Sequence, residues 1–529
     1  MFEALHDLIA FQAMQRPDHV ALVDKKVQVT YAEAWQESQR FAAGLQALDL
    51  ARNDRMAVFL EKRRETVLAF FGASAAGGVF VPVNPVLRPA QVAHILNDCS
   101  VKVLVTSPER LAALGEDVLA HCPALQTVVL VGDGAATTAT GLRKVSWQEA
   151  TGEAADAASL ARPVDCDMAA ILYTSGSTGH PKGVVVSHRN LLVGADSVSR
   201  YLGNTAEDRI LSVLPLSFDA GLSQVMTAFR VGARCILLNY LLPREVPRVC
   251  AREGVTGITG VPPLWFQLLT LDWPDDAARK LRYFANTGGH LPRPALMQLR
   301  ETFPNAAPYL MYGLTEAFRS TYLDPNEVDR RPESIGKAIP NAEILVVRED
   351  GSVAAPGETG ELVHRGALVS LGYWNDPERT AERFRPAPGQ PDGLTMPEIA
   401  VWSGDLVRRD EEGFLYFVGR RDDMIKTSGY RVSPTEIEEV IFASGLVDEA
   451  AAVGLPHPTL GQSITLLVKP KDGIALDAEA LLAVCRQELP TFMVPHHIEE
   501  FAELHRNPNG KIDRKRHAQE LAASQQESV

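Results

Sequence analysis

The sequence predicts an α/β protein whose large N-terminal part is built on parallel-rich sheets covered by helices. Two observations predict it. Strand-like and helix-like segments alternate over residues 1–160, the pattern that parallel strands joined by helical crossovers leave in a sequence. The chain also has 529 residues, too many for one ordinary core, so two or three domains are expected.

The elements follow in order. Val27-Gln28-Val29 reads as a strand end, and Thr30 with Glu33 forms a capping-box pattern for a helix through Phe41. Residues 55–60 read as a strand, 65–77 as a helix, 79–83 as a strand and, after a further helix, 101–105 as another strand. Residues 134–140 are rich in Ala, Thr and Gly and are expected to form an exposed loop. Residues 357–366 open a turn-rich region that suggests a small β-subdomain. The Pro/Gly-rich stretch 385–397 is expected to be a long mobile loop. Ser433-Pro434-Thr435-Glu436 opens a helix, with Ser at the cap, Pro in the first turn and Glu three residues on, and Gly445 is its expected stop.

Composition narrows the function class. Apolar residues make up 46% and charged residues 22%, and 52 Lys+Arg against 66 Asp+Glu leave a formal charge of −14. That balance argues against bulk nucleic-acid binding and against adsorption to an anionic membrane. Cys99, Cys122, Cys166, Cys235, Cys250 and Cys485 are scattered with no C-x-x-C spacing. They read as reduced packing residues, not a disulfide frame or zinc site. No signal-peptide pattern opens the sequence and no run of about 18 apolar residues occurs, so a cytoplasmic protein without a membrane span is expected.

The chemistry concentrates in residues 169–188. An apolar strand-like run ends at Tyr173-Thr174. Ser175-Gly176-Ser177-Thr178-Gly179 then form a hydroxyl- and glycine-rich turn, followed by His180-Pro181-Lys182-Gly183 and a second apolar run. Glycines let the backbone approach an anion, successive N–H groups and hydroxyls can donate to phosphate oxygens, and Lys182 adds a point charge. It is not the common P-loop, whose lysine leads into a helix. A plain hairpin turn would have the same composition.

This loop resembles the signature of the adenylate-forming enzymes: acyl-CoA synthetases, amino-acid adenylation domains and luciferases. Further motifs of that family follow in order. Gly288 and Gly289 resemble its adenine- and acyl-lining segment. Met311-Tyr312-Gly313-Leu314-Thr315-Glu316 resembles a motif that implies Tyr312 stacking on adenine, Thr315 on phosphate and Glu316 on Mg²⁺. Asp405 and Arg420 resemble the ribose-binding pair. Asp422 resembles the hinge, Lys426-Thr427-Ser428-Gly429-Tyr430-Arg431 the loop that reaches the site for thioester formation, and Lys511 in Asn507-Pro508-Asn509-Gly510-Lys511-Ile512-Asp513-Arg514 the terminal catalytic lysine.

The resemblance implies two domains: an adenylation domain over 1–421 and a small mobile α+β lid over 422–529. It implies ATP-dependent activation of a small-molecule carboxylic acid to an acyl-adenylate. The acyl group then passes to a pantetheine thiol, CoA first, with an acyl carrier protein as the other acceptor. ATP, Mg²⁺ and CoA or carrier-borne phosphopantetheine are the expected cofactors, in a monomer or homodimer.

One departure leaves the substrate open. Where many acyl-CoA synthetases carry a histidine, this chain has Phe218-Asp219, closer to the amino-acid adenylation domains, whose aspartate holds the substrate ammonium. The alternative reading is therefore an amino-acid ligase loading a carrier protein. Equally, Asp219 can be the cap of a helix that starts at Ala220. A catalytically silent binding protein is the third reading, though binding alone would not require Lys511. Residues 312–331 and 332–343 also resemble the acyl-CoA ligases associated with exosortase A systems.

Overall fold

The computed structural model describes residues 2–527 except 88, 133–140, 153–159, 175–180, 392, 421–424, 428–429, 433, 458–459, 472, 490 and 509. The expected exposed loop at 134–140 lies outside the described residues.

Among the described residues the chain forms sheets of seven, fourteen and five strands. The seven-stranded sheet runs parallel from Arg143–Ser146 through Thr127–Leu130, Val103–Thr106, Arg55–Phe59 and Val79–Pro82 to Met168–Thr174, and Lys182–Ser187 closes it antiparallel. Several of these strands are buried along their whole length, as parallel strands covered on both faces must be. The fourteen-stranded sheet has a parallel half containing Arg209–Ser212, Gly257–Gly260, Tyr283–Asn286 and Ala307–Tyr312. An antiparallel half follows, through Thr321–Leu323, Ser334–Ala338, Leu415–Arg420, Ile399–Arg409, Thr359–Gly366 and Ala342–Val347. The β-rich region expected from residue 357 supplies Thr359–Gly366, Ile399–Arg409 and Leu415–Arg420 of this half, and the other three strands precede it.

Local signals act as read. Glu33 N–H donates to Thr30 Oγ1 at 3.2 Å and Thr30 N–H to Glu33 Oε2 at 2.8 Å, starting the helix Tyr31–Ala47. Helix Arg64–Ala76 lies between strands Arg55–Phe59 and Val79–Pro82, burying Phe70 and Phe71. A shared core runs from Leu68, Phe71 and Phe80 to Phe229, Tyr283 and Phe318, so the two large sheets pack as one body. The third sheet, within residues 425–500, has its own core of Ile437, Ile441, Ile464, Leu466, Leu481 and Cys485. Its helix Pro434–Ser444 ends before Gly445.

Two expectations need correction. Ala387 and Gln390 are tied to Glu398: Gln390 Nε2 donates to the Glu398 carbonyl at 2.6 Å, Glu398 N–H returns to Gln390 Oε1 at 2.9 Å, and Ala387 N–H donates to the Glu398 carbonyl at 2.9 Å. The glutamine side chain closes the loop on itself, which composition did not reveal. Five of the six cysteines are buried, but Cys166 is exposed, and none is in a disulfide.

Candidate active site

Strands Met168–Thr174, Tyr283–Asn286 and Ala307–Tyr312 end beside one cleft of about 2910 Å³, which Thr174, Thr287 and Tyr312 all line. Carboxyl ends of parallel strands are where open α/β sheets gather ligand groups, because the chain must turn there and leaves side chains and N–H groups free.

At the first strand end, Thr174 stands in register with Lys182 across the antiparallel pair. Thr174 Oγ1 is buried with no hydrogen-bond partner among the described residues. Ser175, Gly176, Ser177, Thr178 and Gly179 lie outside the described residues. Lys182 Nζ donates to Glu316 Oε1 at 3.1 Å and to the Tyr373 hydroxyl at 2.7 Å, and that hydroxyl donates to the same Glu316 oxygen at 2.6 Å. Burial pushes the Glu316 carboxyl upward, but the Lys182 ammonium, the Tyr373 hydroxyl and Glu316's own backbone N–H outweigh it and hold the group below the usual carboxylate value. Burial, with Glu316 beside it, drives the Tyr373 hydroxyl well upward, so it stays a donor.

The segment Leu371–Trp374 brings Tyr373 here. Leu371 N–H donates to the Val185 carbonyl at 2.8 Å, Val185 N–H to the Gly372 carbonyl at 2.9 Å and Trp374 N–H to the Gly183 carbonyl at 2.8 Å. Sequence reading missed Tyr373. No motif marks it, and its position depends on this pairing with a strand nearly 200 residues away.

Tyr312 ends its strand with its hydroxyl donating to Asp405 Oδ2. Asp405 lies on Ile399–Arg409, opposite Arg420 in register, and its N–H donates to Ser403 Oγ at 3.1 Å. The sheet thus brings together Tyr312, Asp405 and the backbone of Arg420. Thr315 and Glu316 form a single 3₁₀ turn just past Tyr312. Gly288 and Gly289 line the cleft; Gly288 has φ +74°, which side-chain-bearing residues rarely adopt, and a Cβ there would come within 3.2 Å of Val261.

Phe218 and Asp219 line the cleft, and Asp219 is not the helix cap weighed for it. Helix Asp219–Val231 has Phe218 as its cap residue, with no side-chain cap. The Asp219 carboxylate instead accepts from Arg319 Nη1 at 3.3 Å. It is already paired with a cation, so it is not the lone buried carboxylate that would call for an ammonium.

From the third sheet's side, Lys511 lines the same cleft in a tight turn. Asn507 N–H donates to the Lys511 carbonyl at 2.8 Å and Lys511 N–H to Asn507 Oδ1 at 3.1 Å, with Gly510 at φ +77°. His290 Nε2 comes within 4.0 Å of Glu439 on helix Pro434–Ser444. Lys426 is on strand Ile425–Thr427, paired in register with Arg431. Asp422 and Gly429 lie outside the described residues.

A cleft lined by a buried hydroxyl, an ammonium and two carboxylates, one of them held ionised, suits a nucleotide with its phosphates. The comparisons with known proteins agree. The model of the AMP-binding enzyme family matches residues 9–374, and that of the AMP-binding enzyme C-terminal domain matches 436–511.

The chain belongs to the AMP-binding enzyme family.

Within this adenylate-forming group it is an AMP-forming ligase of the acyl-CoA synthetase type. It is 30% identical over 548 aligned residues to a long-chain-fatty-acid–CoA ligase of Salmonella typhimurium, covering 97% of this chain and 94% of that one. It is 32% identical over 521 residues to a sulfoacetate–CoA ligase of Cupriavidus necator, covering 97% of each. Among solved structures it is similar to o-succinylbenzoate coenzyme A synthetase from Bacillus subtilis in complex with ATP and magnesium ion. The TM-score is 0.80 and the identity 26%, over 96% of this chain and 98% of that one. No helix among the described residues is long and apolar enough to cross a membrane.

Proposed function

We propose that this ligase joins a carboxylic acid to ATP in the cleft described above, releases pyrophosphate, and passes the acyl group from the adenylate to the thiol of CoA. The observation that carries this reading is the Lys182–Glu316–Tyr373 cluster beside the buried Thr174 hydroxyl, which has no partner among the described residues. It sets one ionised carboxylate and several donors where a polyphosphate and its cation fit. The boundary between the two catalytic parts is proposed at 421/422, with Asp422 as the pivot.

The chemistry needs little from the protein but charge and position. A carboxylate repels nucleophiles and would have to expel oxide. Attack of its oxygen on the ATP α-phosphorus breaks the α–β bridge, forming a mixed anhydride whose AMP leaves readily when a thiolate attacks the acyl carbon. Thr174, the following Ser175–Gly179 loop, Lys182 and Thr315 are proposed to hold phosphate oxygens. Mg²⁺ fits Glu316, a carboxylate kept ionised beside the phosphate-binding end, and when bound would neutralise phosphate charge. Asp405, with Arg420 opposite, would accept from the ribose hydroxyls, while Tyr312, Gly288 and Gly289 would border the base. Lys511 would bridge the carboxylate and the α-phosphate, cancelling charge that builds in the transition state. Lys426 and Gly429 would serve the thioester step.

The pairing of Asp219 with Arg319 weighs against an amino acid as substrate, and so against the carrier-loading alternative. A finer placement among ligases associated with exosortase A systems rests on the wording of residues 312–343 alone. Incubation with ATP, Mg²⁺, CoA and a panel of fatty, aryl and short polar acids should yield AMP and an acyl-CoA from at least one acid. Thioester only with a phosphopantetheinyl carrier protein would overturn the CoA assignment.

A further inference from the structure

Arg319 takes no part in the chemistry above, yet the chain is bent sharply to put it in the cleft. Phe318, just before it, has φ 57° and ψ −49°, and Arg319 N–H donates to the Ala317 carbonyl at 2.6 Å. This is a γ-turn of the positive-φ kind, which is rare and strained for a residue with a side chain. Core packing holds it there. Phe318 is 0% exposed and its ring fills the space over Gly194, where an added Cβ would fall 2.6 Å from a ring carbon.

What this strained turn delivers is a guanidinium in the wall of the cleft. Arg319 is only 3% exposed and lines the cleft with Asp219. A Cβ on Gly313, next to Tyr312, would fall 3.6 Å from Arg319 Nη1. The contact to Asp219 at 3.3 Å is long, and Arg319 Nε is buried with no partner among the described residues. Asp219 stands in the first turn of helix Asp219–Val231, so the helix's positive end shares that carboxylate with Arg319. One guanidinium, one carboxylate and one helix N-terminus leave a surplus of donors over acceptors.

We infer that Arg319, held by Asp219, selects an acid whose acyl group carries an oxygen acceptor (a hydroxyl, a carbonyl or a second acid group) over one that ends in plain alkyl or in ammonium. This rests on the adenylating reading of the cleft. An acceptor completes the hydrogen bonding of a buried charged donor. An alkyl end leaves that donor unsatisfied, and an ammonium adds like charge beside it.

The test is pyrophosphate release by the full chain with acids matched in length over several lengths, ending in methyl, ammonium, hydroxyl, carboxamide or carboxylate. At the best length an oxygen-bearing acid should exceed its alkyl match in kcat/KM by on the order of 10- to 100-fold. The hydroxyl and carboxamide arms separate a neutral acceptor from an anionic one. Arg319→Met should erase the preference mainly through KM, and Arg319→Lys should restore part of it. Asp219→Asn should move the preference towards the carboxylate-ended acid. If Arg319→Met does not fold, as its thermal midpoint would reveal, the wild-type ranking and Asp219→Asn decide. An alkyl- or ammonium-first ranking, or a preference untouched by these substitutions, overturns the inference while leaving the ligase reading intact. No pyrophosphate from any acid would strike the ligase reading, and this inference with it.

Discussion

At the scale of single residues, the site works by setting charges against each other at short range. Lys182, Glu316 and Tyr373 satisfy one another, so the carboxylate stays ionised in a partly buried place. Its folded value lies below the unfolded reference of 4.5. The ionised form therefore stabilises the fold above that pH, and the contribution is lost as pH falls through the folded value. Glu316→Gln should flatten the acid side of thermal stability scanned from about pH 3 to about 7; an unchanged acid limb would mean that the cluster does not set this carboxyl. Lys511 makes a separate prediction. It lines the cleft from a turn of the third sheet's domain, apart from the strand that carries Lys426. Lys511→Ala should lower adenylate formation by roughly 10²–10³-fold, the scale of one lost transition-state charge contact. Thioester formation from supplied acyl-adenylate should survive, and equal damage to both half-reactions would defeat the division of labour.

At the scale of elements, helix Asp219–Val231 shows how closely the cleft wall is packed. A Cβ on Gly221 would fall 1.9 Å from the Pro215 carbonyl oxygen, so the helix and the loop before it touch backbone to backbone. Backbone cannot rotate away as a side chain can. Gly221→Ala should displace the helix start, cost about 1–3 kcal/mol as overpacking does, and raise KM for the acid more than KM for ATP. Urea unfolding beside two-substrate kinetics would check both, and an unaltered variant would show that the wall has room. Capped helix starts were among the most legible parts of the sequence, whereas the helix read through Phe41 runs on to Ala47. Thr30 with Glu33, and Pro434 before a run ending at Gly445, act within a few residues, and no distant part of the chain can override them cheaply. The closure of 387–398 by Gln390 was not legible, because a glutamine's partners depend on how its loop turns.

At the scale of the whole molecule, the cleft is walled by two bodies with separate cores. Lys511 and Lys426 belong to the smaller body and are assigned to different half-reactions, so that body is proposed to turn about Asp422 between them. Asp422→Pro would fix φ near −65° at the pivot. Adenylate formation should be largely kept and acyl transfer to CoA lost, as single-turnover assays of each step would read. Wild-type transfer would remove Asp422 from that role.

The sequence by itself determined the alternating architecture, the capped helices and the contiguous motifs at Thr174 to Lys182, Tyr312 to Glu316, and Asn509 to Ile512. Each is written within a dozen residues, where local propensity, turn chemistry and spacing suffice. Only the tertiary structure decided the partners. It set Tyr373 between Lys182 and Glu316, closed Tyr312 onto Asp405, and turned Asp219 from a candidate amine holder into the counter-charge of Arg319. Those contacts join residues from 57 to 191 positions apart. A charge in a sequence shows its sign but not its neighbour, and in a buried cleft the neighbour decides what the charge can bind.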